Sequence, residues 1–410
     1  MAGETVAATQ APAASRLIAE LDHALDARTL KGLRRQRRIV DSPQGTRVRV
    51  DGRDVLHFGS NDYLGLADDP RVIAAARDGA SQYGVGAGAS HLISGHFTPH
   101  EAIERELGRW IAPCADARAL LFSTGYLANL GIVTALVGRG DAVFADKLNH
   151  ACLNDAALLS RADFVRYPHR DLEALERSLA SSASRRKLIA SDAVFSMDGD
   201  IAELPSLLSL AEAHDAWLLV DDAHGFGVLG EGSPEGKGNS GRGTLAHFGL
   251  ASERIVYMAT LGKAAGVAGA FVAAHRSVVE TLIQTARSYI FTTAAPPMLA
   301  FALATSLALI RDEPGRRTRL FALIDRWRQA AAALPWPTLS SATAIQPLIL
   351  GTNAEALRIS DALWERDIWV PAIRPPTVPQ GSARLRITFS AAHSLDDVDL
   401  LAGALVDAAR

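Results

Sequence analysis

Trp217-Leu218-Leu219-Val220 is an unbroken apolar run that stops on two acids, Asp221 and Asp222. As a strand it has no polar face, so it must be covered on both sides. Comparable runs are Ala142–Ala145, Phe164–Tyr167, Leu188–Phe195, Ile255–Thr260 and Ala270–Val272. Between them, Asp171–Leu179 and Leu204–His214 carry apolar residues at helical spacing. Strands alternating with helices of this length imply right-handed crossovers and a mostly parallel sheet, hence the α/β class. Upstream, Thr98-Pro99-His100-Glu101 predicts a helix start, with Thr98 as cap, Pro99 at the first helical position and Glu101 completing a capping box.

The pattern changes near residue 295. Ala295-Pro296-Pro297 precedes a long Ala/Leu helix, and Arg316–Leu334 reads as another. Then come strand-like Ile345–Leu350, helix-like Glu355–Glu365, strand-like Arg384–Phe389 and helix-like Leu395–Ala408, a small α+β unit. The expected organisation is a disordered tail at 1–15, an N-terminal segment at 16–60, a large domain at 61–294 and a C-terminal small domain with its connecting helices at 295–410. A length of 410 residues accommodates this.

Several function classes drop out. A net charge of −3 lacks the footprint of a general nucleic-acid binder. Cys114 and Cys152 form no C-x-x-C pair, so neither a disulfide scaffold nor a cysteine zinc site is expected, and no metal ligands are assigned. No apolar run reaches 18 residues, and Met1–Ser15 has no basic start or apolar core of a secretory signal. The expectation is a cytoplasmic protein with no membrane partner.

Gly225-x-Gly227-x-x-Gly230 follows a strand and matches a dinucleotide fingerprint in form, but it runs into a loop rather than a helix, which argues against nicotinamide or flavin binding. Gly236-Lys237 lacks the spacing of a Walker A loop. Ser123-Thr124-Gly125-Tyr126 follows Ala119–Phe122 and opens a helix; it either caps that helix or holds a phosphate on its free N–H groups. Asp221 ends a buried strand where α/β ligands bind, and His224 follows on the exit loop. Lys263 stands among small residues, Thr260 to Gly269, where few partners favour a lowered pKa and Schiff-base chemistry; the alternative is a snorkelling strand-end lysine. An aldehyde-trapping lysine, an acid for a pyridinium nitrogen and a phosphate cup together specify pyridoxal phosphate.

Further motifs narrow this. Phe58-Gly59-Ser60-Asn61-Asp62-Tyr63-Leu64-Gly65-Leu66, Asn149-His150-Ala151, Val194–Asp200, Val220–Gly225 and Thr260–Lys263 occur in that order. With them the chain, from about Leu25 onward, resembles the α-oxoamine synthases. These are fold-type I pyridoxal-phosphate enzymes that condense an amino acid with an acyl-CoA and release CO2. The resemblance implies a large domain with a mostly parallel seven-stranded sheet flanked by helices, a small α+β C-terminal domain, and a homodimer with shared active sites. Ile373–Arg386, with Pro375-Pro376, and Gln346–Ile349 are similar to the branch that joins L-alanine to pimeloyl-CoA, or to a pimeloyl-carrier-protein thioester, on the way to biotin.

The same resemblance implies residue roles. Lys263 holds the cofactor aldehyde, Asp221 keeps the pyridine nitrogen protonated, and His224 hydrogen-bonds the phenolic oxygen, with Ser196 nearby. His150 stacks on the ring and faces the substrate. Gly125, Tyr126 and Thr260 bind phosphate, and Thr292 and Thr293 add contacts to the neighbouring subunit's phosphate. Asn61 and Arg386 lie near the amino-acid carboxylate, where arginine suits a bidentate clamp. Arg34 and Thr377 contact the acyl substrate, although Arg34 also reads as part of a solvated basic face, Lys31–Arg38. The loop Ser233–Arg242 looks longer than the family norm, and His91 is either an active-site or a structural residue. Rival readings are a synthase using glycine or serine, and an aminotransferase on the same scaffold.

Overall fold

The computed structural model describes residues 15–232 and 239–410. The expected tail, apart from Ser15, and positions 233–238 of the loop lie outside the described residues.

Seven strands build the central sheet: β1 (Ala117–Phe122), β2 (Ala142–Asp146), β3 (Asp163–Tyr167), β4 (Lys187–Asp192), β5 (Ala216–Asp221), β6 (Ile255–Thr260) and β7 (Ala270–His275). Their spatial order is β1-β7-β6-β5-β4-β2-β3. β2 to β6 pair in parallel, and β7 runs antiparallel to both β1 and β6. The apolar run Trp217–Val220 lies in β5, at the centre. Leu218 and Val220 join one apolar core and Leu219 joins another, each on its own face of the sheet. All three are fully buried, which contributes about 1.5–3 kcal/mol per side chain.

Two local expectations need correction. The run Leu188–Phe195 is strand only to Asp192; beyond it Val194 bridges to Ile201, and Gly199, at φ 73°, turns the chain back. The helix Thr98–Ile111 takes its cap from Phe97, not Thr98, because the Phe97 N–H donates to His100 Nδ1 at 3.0 Å. Glu101 instead pairs with Arg105.

The N-terminal segment holds a hairpin that the sequence reading did not assign. Arg47–Val50 and Arg53–His57 pair antiparallel around Asp51 and Gly52, both at positive φ. An Asp-Gly pair between short alternating runs is the signal that would have found it. Ile368–Trp369, from the far end of the chain, adds to this hairpin in parallel. Beside it, Ile345–Gly351, Ala383–Thr388 and Ala372–Ile373 form an antiparallel sheet, tied in by the Thr388 N–H to Phe58 O bond of 2.8 Å.

Because β7 returns beside β6, Leu261–Gly269 closes as a tight loop, with Leu261 N–H bonded to Gly269 O at 2.8 Å. Gly266 in this loop has φ 66°, and a Cβ there would sit 2.5 Å from Ala67 N. Gly266→Ala is therefore expected to destabilise the fold by at least about 1–3 kcal/mol, from backbone strain alone. Urea denaturation measures this; an unchanged midpoint would contradict the packing described.

Candidate active site

Three neighbouring parallel strands end on polar residues: Asp192 on β4, Asp221 on β5 and Thr260 on β6. Their C-terminal ends open into a cavity of about 190 Å³. A larger open cleft of about 500 Å³, lined by Arg185, Lys187 and Arg254, lies at the opposite strand ends and holds none of these groups.

Asp221 is 5% exposed. Its Oδ2 accepts from Asn129 Nδ2 at 2.7 Å, and its Oδ1 accepts from the Ala223 N–H at 3.1 Å. A buried carboxylate needs such donors or a cation, and none of its partners here carries charge. Burial and the Asp221 carboxylate push the Asp192 carboxyl well above its ordinary range. Asp192 accepts from the His150 N–H at 3.0 Å. Asn149 pins the same turn to β4, bonding Ala190 O and the Asp192 N–H, so the His150 ring is fixed at the cavity mouth.

Lys263 reaches in from the loop between β6 and β7. Burial, with a lesser push from Arg386, lowers its amine to about 8. Its Nζ lies 3.0 Å from His224 Nε2. On the other side of that ring, His224 Nδ1 lies 2.7 Å from Tyr63 Oη. Tyr63 Oη donates to Asn61 Oδ1 at 3.0 Å, and Arg386 Nη1 donates to the same oxygen at 3.1 Å. One tautomer satisfies the whole chain: Lys263 donates to Nε2, and Nδ1–H donates to Tyr63. Burial and the nearby Lys263 and Arg386 charges hold the His224 imidazole neutral, well below its usual pKa.

Arg384 and Arg386 share one face of the strand Ala383–Thr388, but their partners differ. Arg384 pairs with the Asp198 carboxylate at 2.5 Å. Arg386, 6% exposed, bonds neutral oxygens, Ser196 O at 2.6 Å and Asn61 Oδ1. Its charge is thus uncompensated at the cavity edge, as an anion site requires.

At the other end, Gly125 and Tyr126 start the helix Gly125–Leu136, and Thr124 Oγ1 caps it at the Leu127 N–H. Capping and phosphate binding are therefore compatible, because the first helical N–H groups have no intrahelical acceptor. A Cβ on Gly125 would meet Thr260 Cγ2 at 2.6 Å, so this floor admits only glycine.

Gly125, Tyr126, His150, Ser196, Asp221, His224, Thr260 and Lys263 all line this cavity. Asn61 and Arg386 join it through Tyr63. Thr292 and Thr293 do not line it; Thr293 pairs with Ser90 in an isolated bridge. Arg34 is exposed and bonds back to Thr29, whereas Arg35 reaches Thr377 Oγ1 at 3.1 Å. Tyr63, Asn129 and Asp192 are site residues that the sequence reading gave no role. Tyr63 stood inside a quoted motif beside its partner Asn61, but His224 and the partners of Asn129 and Asp192 come from distant parts of the chain.

The profile of the class I and II aminotransferase family matches residues 53–405. The 8-amino-7-oxononanoate synthase of Nitrosomonas europaea is 58% identical over 96% of this chain and all of its own length. The chain belongs to the 8-amino-7-oxononanoate synthases, within the class I and II aminotransferase family. Its fold agrees with two solved relatives. Serine palmitoyltransferase of S. paucimobilis, solved with bound PLP-myriocin, is 29% identical over 96% of each chain, with a TM-score of 0.85. 8-Amino-7-oxononanoate synthase of Francisella tularensis is 30% identical over 86% of this chain and 97% of its own, with a TM-score of 0.73. Both are α-oxoamine synthases, and the family cofactor is pyridoxal phosphate. The cavity suits it: a glycine-floored helix start at one end, a buried carboxylate lacking a cation at the other, and an amine in the wall.

Only the free-base amine adds to an aldehyde. With Lys263 at about 8, its free-base fraction rises roughly fifty-fold from pH 6 to pH 8 and then levels off. The rate at which cofactor-free protein takes up pyridoxal phosphate is expected to follow this curve in stopped-flow absorbance. A rate still climbing steeply from pH 9 to 10 would mean that burial leaves the amine unperturbed.

Proposed function

We propose that this protein condenses L-alanine with a pimeloyl thioester, of CoA or of a carrier protein, to give 8-amino-7-oxononanoate, free thiol and CO2 in biotin synthesis. The observation that carries this reading is the hydrogen-bonded chain from Lys263 through His224, Tyr63 and Asn61 to the uncompensated Arg386. It joins an amine that traps an aldehyde to a cation that takes an amino-acid carboxylate.

Pyridoxal phosphate, when bound, supplies an electron sink for the pair left at the amino-acid Cα. Asp221 keeps the proton on the pyridine nitrogen, and the Asn129 hydrogen bond aims its Oδ2. The Gly125 and Tyr126 N–H groups and Thr260 take the phosphate. His150 would cover the ring face, while His224 and Ser196, which line the same cavity, would hold its phenolic oxygen. Arg386 and Asn61 orient the alanine carboxylate. Lys263, once displaced, removes the Cα proton and later returns one; an amine near pKa 8 does both at neutral pH. The groove of about 330 Å³ between Leu33–Gln36 and Ala372–Thr377 carries Arg35 and Arg374, beside Arg34, and these cations suit a thioester carrier's phosphates.

The reading includes a homodimer. Thr292 and Thr293 do not line their own cavity, and Val85, Ile93 and Phe291, on the two segments joined by the Ser90–Thr293 bridge, are exposed apolar residues. A second copy covering them would receive the threonine hydroxyls at its phosphate. No helix among the described residues is long and apolar enough to cross a membrane, and the two cysteines are free and buried, which fits the cytoplasm.

Lys263→Ala is expected to abolish both the visible absorbance of lysine-bound cofactor and thiol release. Wild-type turnover in that variant would sink the reading. Thiol release with pimeloyl-CoA should be much faster with alanine than with glycine or serine; a preference for serine or glycine would move the chain to a sister activity, and half-transamination without thiol release to an aminotransferase. Arg386→Lys keeps the charge but loses the planar fork, a cost of about 1.5–3 kcal/mol. KM for alanine should therefore rise roughly 10–100-fold with the thioester KM little changed.

A further inference from the structure

Three histidines outside the cofactor cavity have no part in this chemistry. They stand at the spacing His91-x4-His96-x3-His100. His91 opens the π-helical turn His91–Gly95, His96 follows it, and His100 lies on the first turn of the helix Thr98–Ile111. Each offers a ring nitrogen, and the three atoms lie within 4.8 Å of one another. His91 Nδ1 and His96 Nδ1 are 2.9 Å apart.

A second, independent observation concerns the far side of two rings. His96 Nε2 lies 3.3 Å from Glu101 Oε2, and His100 Nε2 lies 3.0 Å from Ala295 O. Each oxygen takes an Nε2–H, which puts the lone pair on Nδ1; at His100 that lone pair accepts the Phe97 N–H and at His96 it faces His91 Nδ1, the two contacts an ion would displace. A carboxylate or carbonyl placed this way is what orients metal-ligating imidazoles.

We propose that His91, His96 and His100 form a binding site for a divalent first-row transition ion, with Zn²⁺ as the best fit. Three imidazoles without a thiolate suit zinc and its neighbours, whereas Mg²⁺ and Ca²⁺ require oxygen ligands. Ligands about 2.0–2.1 Å from a tetrahedral ion are roughly 3.3 Å apart, within the spread of separations here. The ion replaces the His91–His96 contact and the hydrogen bond from Phe97 N–H to His100 Nδ1. Its fourth position falls to water.

The site has a structural consequence. The His91 ring stacks on Tyr289 with centroids 5.0 Å apart, Ser90 pairs with Thr293, and the Ala294 N–H bonds Ala89 O at 3.0 Å. An ion joining the three histidines braces the segment that carries Thr292 and Thr293. It is a structural site and takes no part in the bond-making steps.

The test uses holoenzyme stripped of metal by a chelator. Equilibrium dialysis with Zn²⁺, and titration with Co²⁺ read by its tetrahedral d–d absorbance, should show about one ion per chain. His96→Ala removes an exposed ligand outside the catalytic machinery, so cofactor absorbance should be unchanged while ion affinity falls by at least roughly tenfold. Glu101→Gln should weaken binding about 10–100-fold by loosening His96. The proposal is overturned if the holoenzyme takes up no ion at micromolar concentrations, or if His96→Ala and His91→Ala bind Zn²⁺ as the parent does.

Discussion

The Asp221 carboxylate is the constraint on which the rest of the site depends. A charge at the end of the central, fully covered strand is costly unless donors or a cation meet it. Asn129 and the Ala223 N–H supply part of that compensation, and neither carries charge. The helix Gly125–Leu136 must therefore cross this strand end with Asn129 inward, and that crossing brings its own N-terminus to the cavity floor. One buried acid thereby fixes where a phosphate and a pyridinium nitrogen can sit. Burial and that same carboxylate push the Asp192 carboxyl beside it upward, so a second negative charge in this space is disfavoured.

From that floor the hydrogen bonds run outward through three parts of the chain. Lys263 and His224 belong to the central sheet's loops, Asn61 and Tyr63 to the N-terminal segment, and Arg386 to the C-terminal antiparallel sheet. The parallel addition of Ile368–Trp369 to the N-terminal hairpin holds the last two together. Substrate carboxylate and cofactor amine are thus registered against each other by tertiary packing, and a shift of either small sheet would be felt at Lys263.

Much of this was legible in the chain. The alternation of apolar runs and amphipathic stretches predicts the α/β sheet, and eight residues singled out from motifs meet in one cavity. The misses have physical reasons. Leu188–Phe195 looks like one strand because its composition is uniform, yet Gly199 turns the chain early. Thr98 looks like a cap because its side chain can cap, yet His100 reaches the Phe97 N–H first. Asn129 and Asp192 carry no local mark of function, because their partners lie far away in the chain, and Tyr63 gains its role only when His224, 161 residues on, meets it. Arg384 and Arg386 are alike in sequence, and only the Asp198 partner of one distinguishes them.

The sequence by itself determined the covered central strand, its terminal acid, the lysine among small residues and the order of the cofactor motifs, because those follow from local composition and spacing. The tertiary structure alone decided which groups are neutral, which arginine is uncompensated, and that three histidines of one loop and helix face a common point. Charge state, pairing and convergence depend on burial and on neighbours contributed by other segments, and no local pattern of residues encodes those.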